Sequence, residues 1–315
     1  MDTRFLETLV TVFDCGSVAE AGRRLNMTAA GVAQRIHALE ADIGTQLVFR
    51  SGRTIRPTPT AMAILDRSRR LLRDVHDIKS IATSGMLTGE LSLGVIPTTL
   101  SGLLPDILIP FTQANPRIDT RIVRDHSVAL YQLVLEGEID AAITSHPPFA
   151  MPKTCGWWLL REEPFVVLTA KSLRMRDAHE VLARQPFIRL TRGVYAGQLI
   201  DNYLRKAGIR PKEIFELDGF ELIAMLVDRG LGVSLLPDWP PPWPAGLLLR
   251  KLPLPDPSFR RRIGILWNRS SLRLKLIEAL VESARGTIKE RPSSVARRKQ
   301  RTLSDMSGYG PKRTF

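Results

Sequence analysis

The sequence predicts an α/β protein whose amino-terminal quarter is mostly helical. Three regions support this: helical spacings in residues 5–59, an uninterrupted helical pattern in residues 60–83, and strands alternating with helices from residue 89 onward. Alternating strands and helices indicate βαβ units and a mainly parallel sheet. A chain of 315 residues is long enough for about two or three domains.

Residues 17–40 have the pattern of a helix-turn-helix. Ser17, followed three residues later by Glu20, predicts the capped start of a short helix, and Thr28 predicts the cap of a second one. The second helix has one apolar face, formed by Val32, Ile36 and Leu39. Its opposite face is small and uncharged and can therefore enter a major groove. An ordinary helical hairpin is the alternative interpretation.

The segment after these helices predicts a hairpin wing rich in arginine. Arg50, Arg53 and Arg56 recur at intervals of three along a short, polar stretch. Guanidinium groups beside a groove-sized helix suit phosphates and a narrow minor groove. The wing therefore favours DNA binding over a plain helical hairpin.

Residues 4–60 resemble the winged helix-turn-helix of LysR-type transcriptional regulators. The resemblance rests on matches at fixed spacing, at Phe5, Gly16, Ser17, Ala21, Leu25, Val32, Ile36, Leu39, Glu40, Gly44, Leu47, Phe49, Arg50 and Thr58. It implies a sequence-specific, dimeric or tetrameric DNA-binding regulator whose DNA engagement responds to a small effector. The chain departs from the family at residues 28–33, where two polar base readers of the usual Ser-Gln-Pro-Ala-Val-Ser pattern are missing.

We expect the DNA contacts to come from the two helices and the wing. The predicted residues are Ser17, Thr28, Ala29, Ala30, Ala33, Gln34, Arg35, His37, Arg50, Arg53 and Arg56. Direct base readout is expected from Gln34 and His37, with Arg35 reaching a phosphate and DNA shape supplying more of the selectivity. An effector-independent architectural DNA-binding protein with weak base readout is the alternative function.

Residues 60–83 contain neither glycine nor proline and predict a long linker helix. Its apolar positions follow a coiled-coil spacing through Ile64, Ser68, Leu71, Val75, Ile78 and Ala82. We predict dimerisation through Ile64, Leu71, Val75 and Ile78, which would place two recognition helices on DNA half-sites. A helix packed on its own domain is the alternative.

Residues 91–286 resemble the effector domain of the same family, which has two α/β lobes like those of periplasmic binding proteins. Gly94 and the stretches 104–105, 111–116, 137–140 and 227–237 carry this resemblance. It implies two chain crossings between the lobes, which we place near Arg161 and Trp267.

Four segments follow from these patterns. They are a DNA-binding domain (1–59), a dimerisation helix and hinge (60–88), a two-lobed effector-binding domain (89–288) and a basic tail predicted to be disordered (289–315).

Hydroxyl-rich loops follow several predicted strands, where open α/β sheets bind ligands. The candidate effector-binding residues are Thr98, Thr99, Ser101, Ser127, Thr144, Ser145, His146, Thr191 and Arg192. Helix N-termini at such loops favour anions, so an anionic small molecule is the expected class, with Arg192 as its carboxylate partner. The alternative is that the hydroxyl groups only cap helices.

The composition narrows the partners and the compartment. A net charge of +13 favours a polyanionic partner such as double-stranded DNA. Two cysteines in different predicted domains fit a reducing cytosol, and no membrane-spanning run or signal peptide is evident. We therefore expect a cytoplasmic protein that does not bind membranes, with RNA polymerase as a candidate further partner.

The sequence does not predict an enzyme. Hydrolase, phosphate-loop and metalloprotease motifs are missing, and the five histidines show no metal-ligand spacing, so no catalytic residue, metal or cofactor is expected. A ligand-binding module without DNA function is a further alternative, but it would not need the arginine wing.

Overall fold

The structure is a computed structural model that describes residues 1–51, 54–83, 87–100, 102–240 and 246–289. The contacts between residues divide the chain into two units, Met1–Glu90 and a second unit that begins at Leu91. The linker helix, predicted as a segment of its own, belongs to the first unit. Arg53, Ser101 and the basic tail from residue 290 lie outside the described residues.

The first unit contains the predicted helix-turn-helix and hairpin. Its elements are α1 (Thr3–Cys15), α2 (Val18–Arg24), α3 (Ala29–Ile43), β1 (Val48–Ser51), β2 (Thr54–Pro57) and α4 (Pro59–Thr83). Ser17 Oγ accepts a hydrogen bond from the Glu20 N–H at 3.2 Å, and Thr28 Oγ1 accepts one from the Gly31 N–H at 3.1 Å. Both predicted helix caps are therefore confirmed.

The turn between α2 and α3 depends on two small or permissive residues. Asn26 has a left-handed backbone with φ of 53°, a conformation that asparagine tolerates better than most residues. A Cβ atom on Gly22 would lie 2.8 Å from the Met27 carbonyl oxygen. The close approach of the turn to α2 therefore requires glycine at this position.

The linker helix α4 begins by packing on its own unit. Ala61, Leu65 and Ser68 are buried, and Ile64 packs against the core of the first unit. Ile64 thus has an intramolecular contact, although we predicted it for a dimer seam, because the first turns of α4 follow the wing directly and cover the core. Leu71 remains 40% exposed.

The second unit alternates helices and strands. In chain order these are β3 (Gly89–Val95), α5 (Pro97–Leu100), α6 (Leu103–Ala114), β4 (Ile118–Arg124), α7 (Ser127–Leu135), β5 (Ala141–Ser145), β6 (Cys155–Ala170), α8 (Ala178–Arg184), β7 (Pro186–Leu190), α9 (Tyr195–Lys206), β8 (Lys212–Leu217), α10 (Phe220–Asp228), β9 (Ser234–Pro237), β10 (Leu249–Pro253), β11 (Arg260–Asn268) and α11 (Leu274–Lys289). We call residues 91–163 with 260–289 lobe I, and residues 164–259 lobe II.

The larger sheet runs through both lobes in the order β10-β6-β11-β5-β3-β4, and β9 also pairs with β6. The first half of β6 pairs with β11, whereas its second half pairs with β9 and β10. The chain therefore enters lobe II near Pro164 and returns just before Arg260. The crossing predicted near Trp267 is wrong, because Trp267 already pairs with Ala141 inside lobe I.

The prediction of a mainly parallel sheet is also wrong for the described strand pairs of the larger sheet. β3 pairs with β5 in parallel, but β11 is antiparallel to β5 and β6, and β9 and β10 are antiparallel to β6. The physical reason is the crossing itself. A chain that leaves one lobe and returns to it beside its outgoing strand must run in the opposite direction.

Each lobe has its own apolar core. Leu93, Phe111 and Ile143 are fully buried in lobe I, and Phe187 and Ile223 are fully buried in lobe II. Within the described ranges, no helix combines the length and the apolar character that crossing a bilayer requires.

Candidate functional site

A cavity of about 370 Å³ lies between the two lobes, beside the strands that cross between them. Lobe I contributes the ends of β3, β4 and β5, and lobe II contributes the starts of α9 and α10. Polar lining residues are Thr98, Arg124, Asp125, His126, Ser127, Ser145, Asp218, Glu221 and Arg261. The volume is at the lower end of the range of about 300–1,000 Å³ that is typical of small-molecule sites.

Arg261 lines this cavity, although it is only 2% exposed. Its Nε lies 2.7 Å from Glu163 Oε2, and its Nη2 also donates to that oxygen. The two residues are register partners on β11 and β6, directly next to the crossing. Arg261 Nη2 donates to Thr98 Oγ1 at 3.3 Å, and the guanidinium lies 4.9 Å from the centre of the Phe220 ring.

The stability of the crossing between the lobes depends on the buried charges of Arg261 and Glu163. Burial lowers the pKa of the Arg261 guanidinium, but an arginine pKa starts so high that the group stays protonated in proteins. Glu163 therefore balances two permanent charges, because its Oε1 also accepts a hydrogen bond from Arg161 Nε at 2.8 Å. Removing one partner of such a pair leaves an uncompensated buried charge and is strongly destabilising.

Three further contacts connect the lobes around the cavity. Ser127 Oγ accepts a hydrogen bond from the Tyr195 N–H at 3.0 Å, and His126 Nε2 lies 2.8 Å from Asp218 Oδ2. The Tyr195 ring also meets Phe149 edge to face at 5.8 Å. Burial is the main cause that raises the pKa of Tyr195 to about 12, so its hydroxyl is neutral at physiological pH.

The structure brings three predicted effector-binding residues to the cavity, namely Thr98, Ser127 and Ser145. Thr99 and Thr144 are fully buried and do not line it, and the Thr99 hydroxyl donates to the Ile96 carbonyl at 2.9 Å. Two others also lie outside the lining. His146 Nδ1 is 2.7 Å from the Pro147 carbonyl oxygen, and Thr191 Oγ1 accepts from the Gly193 N–H at 3.2 Å.

Arg192 does not line the cavity, contrary to its predicted role as the carboxylate partner of a ligand. Its guanidinium binds Asp201 at 3.0 Å, Glu216 at 2.6 Å and Glu213 at 3.1 Å. Arg189 shares two of these carboxylates, and its hydrogen bond is the main cause that lowers the pKa of Glu213. Carboxylates of α9 and β8 therefore already bind the guanidinium of Arg192, which we predicted to bind an anionic ligand.

Sequence reasoning missed the Arg261–Glu163 pair and the His126–Asp218 contact. A usable signal existed for Arg261, which alternates in β11 with the exposed Arg260 and Arg262 and shares the face of the buried Ile263. Period-two alternation therefore places one arginine of this basic run inside the protein. Asp218 has no comparable local signal, because its partner lies on the other lobe.

The candidate DNA-binding surface is the outer face of α3 together with the wing. Thr28, Ala29, Ala30, Gln34 and His37 are exposed, whereas Ala33 is half-buried. This face therefore has the small, uncharged character that the sequence predicts for it.

Two predicted contacts on α3 have partners inside the first unit. His37 Nδ1 lies 3.1 Å from Glu40 Oε2, and the other oxygen of Glu40 accepts from the Leu47 N–H at 2.8 Å. Arg35 is half-buried and lies 3.4 Å from Thr8 Oγ1, which directs it towards α1. The phosphate contact predicted for Arg35 would therefore require this side chain to turn away from α1.

The wing forms one wall of a groove of about 1,050 Å³ in the first unit. Most of its lining is apolar and includes Val18, Ala19, Ala29, Ala30, Ala33, Val48, Phe49 and Ile55. Phe49 is 48% exposed and faces this groove, a feature that sequence reasoning missed. Arg56, the register partner of Phe49, is exposed, and the structure does not describe the side chain of Arg50.

Two family models match the chain over most of its length. Residues 3–62 match the bacterial regulatory helix-turn-helix protein of the lysR family, and residues 84–289 match the LysR substrate binding domain. An amino-terminal DNA-binding unit joined to a two-lobed ligand-binding domain defines a class of ligand-responsive transcriptional regulators. The chain belongs to the LysR family of this class, and the family consists of regulators, not enzymes.

Individual relatives agree with this assignment. The HTH-type transcriptional regulator GltR of Bacillus subtilis (strain 168) is 26% identical over 242 residues, covering 75% of this chain and 80% of that protein. A cysteine mutant of Corynebacterium glutamicum OxyR aligns with a TM-score of 0.58 and 26% identity, over 100% of this chain and 98% of that one. CbnR complexed with its target DNA has a TM-score of 0.66 over 91% of this chain and 100% of its own, and at 20% identity it supports the fold alone.

Proposed function

We propose that this regulator binds an operator as a dimer or tetramer and releases or reshapes that DNA when a small molecule binds between its lobes. The cavity carries this proposal, because its walls come from both lobes while Arg261 lies beside the strands that join them. A ligand that contacts both walls binds one arrangement of the lobes better than another. Only such differential affinity can shift the population of a regulator.

We infer that α3 and the wing make the DNA contacts. Gln34 and His37 are exposed on α3 and have the polar atoms that can read base edges. Thr28, Ala29, Ala30 and Ala33 supply a surface that fits closely in the major groove, and Ser17 lies beside it as the cap of α2. Arg50, Arg53 and Arg56 are the proposed phosphate contacts of the wing.

We assign self-association to the later turns of α4, through Leu71, Val75 and Ile78. The exposure of Leu71 supports this assignment, since an apolar residue on a long helix is stabilised by a partner. Ile64 is less suited to this role because it packs on the first-unit core. We further propose a cytoplasmic location and contact with RNA polymerase at the regulated promoter.

Binding of the full chain to DNA tests the proposal. A fragment from the region upstream of the gene and a scrambled fragment of the same composition would be titrated by fluorescence anisotropy at several salt concentrations. We expect a preference of roughly 10³-fold or more for the native fragment that persists as salt rises. If the affinity for both fragments falls equally steeply as salt rises, the result would instead support the architectural alternative.

In vitro transcription from the native fragment, with purified RNA polymerase, tests the proposed contact with RNA polymerase at the promoter. The regulator should change the amount of transcript, and the Gln34→Ala variant should change it less. A transcript level that is independent of the regulator would contradict the proposed contact at the promoter.

A further inference from the structure

Several charged groups that line the lobe cavity have partners within the protein. Arg261 pairs with Glu163, and His126 contacts Asp218 at 2.8 Å. Asp125 Oδ1 accepts a hydrogen bond from the His126 N–H at 2.7 Å. Two other charged lining residues have no such contact.

The remaining two are Arg124 and Glu221. Both are exposed, and neither side chain has a hydrogen bond or ion pair in the part of the chain that the structure describes. Arg124 ends β4 in lobe I, whereas Glu221 lies in the first turn of α10 in lobe II. Opposite charges without protein partners therefore line the same cavity from opposite lobes.

Helix N-termini at the cavity would by themselves favour an anion. α7 and α10 both begin there, but Asp125 precedes α7, and Asp218 and Glu221 flank the start of α10. The N-termini of α7 and α10 are thus already compensated by carboxylates of the protein, whereas α9, whose start also lines the cavity, has no acidic residue in its first turn. A ligand with two negative charges would be attracted by Arg124 and repelled by Glu221.

Ser145 adds a hydroxyl group that a polar ligand can use. It is 2% exposed and lines the cavity, and among the described residues its hydroxyl has no hydrogen-bond partner. The hydroxyl is not among the fully buried polar atoms, so it faces the cavity and is available to a bound molecule.

We propose that the effector is a small zwitterion, whose carboxylate pairs with Arg124 and whose protonated amine pairs with Glu221. The inference rests on the proposed function, because it names the chemical class of ligand for the same cavity. A molecule with both charges spans the two lobes and satisfies both unpartnered groups. A dicarboxylate or a diamine satisfies only one of them.

Three probes of the same chain length test the proposal on the full-length protein. They are 4-aminobutyrate, butane-1,4-diamine and succinate, compared at equal ionic strength by the change in Tm over a titration. We expect 4-aminobutyrate to raise the Tm and the other two to raise it less or not at all. A Tm that rises as much with succinate or the diamine, or with none of the probes, would overturn the zwitterion assignment.

Substitutions test whether 4-aminobutyrate binds at Arg124 and Glu221. Arg124→Gln and Glu221→Gln should each weaken the response to 4-aminobutyrate by roughly fivefold or more, since each removes one charged partner. Arg121→Gln on the same strand and Glu180→Gln on α8 lie outside the lining and should leave it unchanged. Equal effects of the cavity and control variants would also overturn the assignment.

The charge exchange Arg124→Glu with Glu221→Arg gives a stricter test. The double variant should recover part of the response to 4-aminobutyrate, because a zwitterion can bind in the reversed orientation. A double variant that responds no better than the single variants would count against a ligand that bridges both residues.

The ligand class and the proposed function fail in different ways. If 4-aminobutyrate binds as expected but leaves the footprint on operator DNA unchanged, the zwitterion assignment is supported. The proposed control of DNA binding by the ligand is then contradicted. If succinate binds, loses its effect in Ser145→Ala and alters the footprint, the regulatory cavity stands and the zwitterion class is wrong.

Discussion

The recognition face of α3 and the lobe cavity differ in how they are built. The recognition face comes from one continuous segment, is exposed and is largely alanine between Thr28 and Gln34. The cavity collects residues from Thr98 to Arg261, which are 163 positions apart, and its central ion pair is buried. The two sites should therefore respond differently to substitution.

The difference also separates two kinds of specificity. An alanine-rich helix face offers close fit but few hydrogen-bonding groups, so DNA shape contributes a large share of operator selection. The cavity instead presents several polar groups whose partners can be named. We expect ligand recognition to depend on individual charged residues more strongly than DNA recognition does.

The largest predicted effect concerns the buried pair. Glu163→Gln should lower the free energy of unfolding of the second unit by roughly 3–5 kcal/mol, because it removes the carboxylate that balances the buried Arg261 and also binds Arg161. Denaturant unfolding followed by tryptophan emission measures this, since all five tryptophans lie between residues 157 and 267. Glu162→Gln, which removes an exposed contact of 3.8 Å to Arg262, should cost less than about 1 kcal/mol. Equal costs for both variants would contradict the role of burial.

The matching test in the first unit is Leu39→Ala. Leu39 is fully buried on the inner face of α3, so the cavity left behind should cost about 2–5 kcal/mol. Far-ultraviolet circular dichroism and DNA binding should report the loss, while tryptophan emission should keep its original transition. Ala41→Ser, at an exposed position of the same helix, should change stability by less than about 0.5 kcal/mol. A shifted tryptophan transition would mean that the two units unfold together.

An intermediate effect is expected on the recognition face. Gln34→Ala should reduce discrimination between the operator and a single-base variant by about 1–3 kcal/mol, because it removes a side chain that can bond to a base edge. Arg56→Ala should weaken binding to both sequences alike and reduce the salt dependence by about one phosphate contact. Anisotropy titrations on paired oligonucleotides separate the two patterns. An Arg56→Ala variant that relaxes base preference would contradict the division of roles.

The smallest effect compares two buried serines of the cavity. Ser127→Ala should lower the free energy of unfolding by about 1 kcal/mol, since the Tyr195 N–H loses its acceptor. Ser145→Ala should change it little in the absence of a ligand, because that hydroxyl has no partner among the described residues. Thermal unfolding of both variants measures the difference. A larger cost for Ser145→Ala would mean that its hydroxyl already stabilises the fold.

Much of the first unit was predictable from residue spacing. The caps Ser17 and Thr28, the buried Val32 and Leu39, and the hairpin all follow from contacts between residues close in sequence. Chain direction in the larger sheet was not predictable in this way. Whether β11 lies beside β5 or elsewhere depends on strand pairing over more than a hundred residues.

Two arginines show the same limit at the level of single side chains. Arg192 follows a strand in a hydroxyl-rich loop and looked suited to a ligand carboxylate, yet three protein carboxylates bind it. Arg261 lies within a run of three arginines, yet it is buried while Arg260 and Arg262 are exposed. A local pattern describes the backbone around a charged group, but it does not show which distant group neutralises that charge.

By itself, the sequence determined the winged helix-turn-helix, the long linker helix and the family of the protein, because caps, apolar periodicity and fixed spacing are local properties. Only the tertiary structure decided which hydroxyls face the cavity, where the chain crosses between lobes and that Glu163 balances Arg261. Those features arise when strands distant in sequence come into register. Their energies depend on burial and partner geometry, which no short stretch of residues contains.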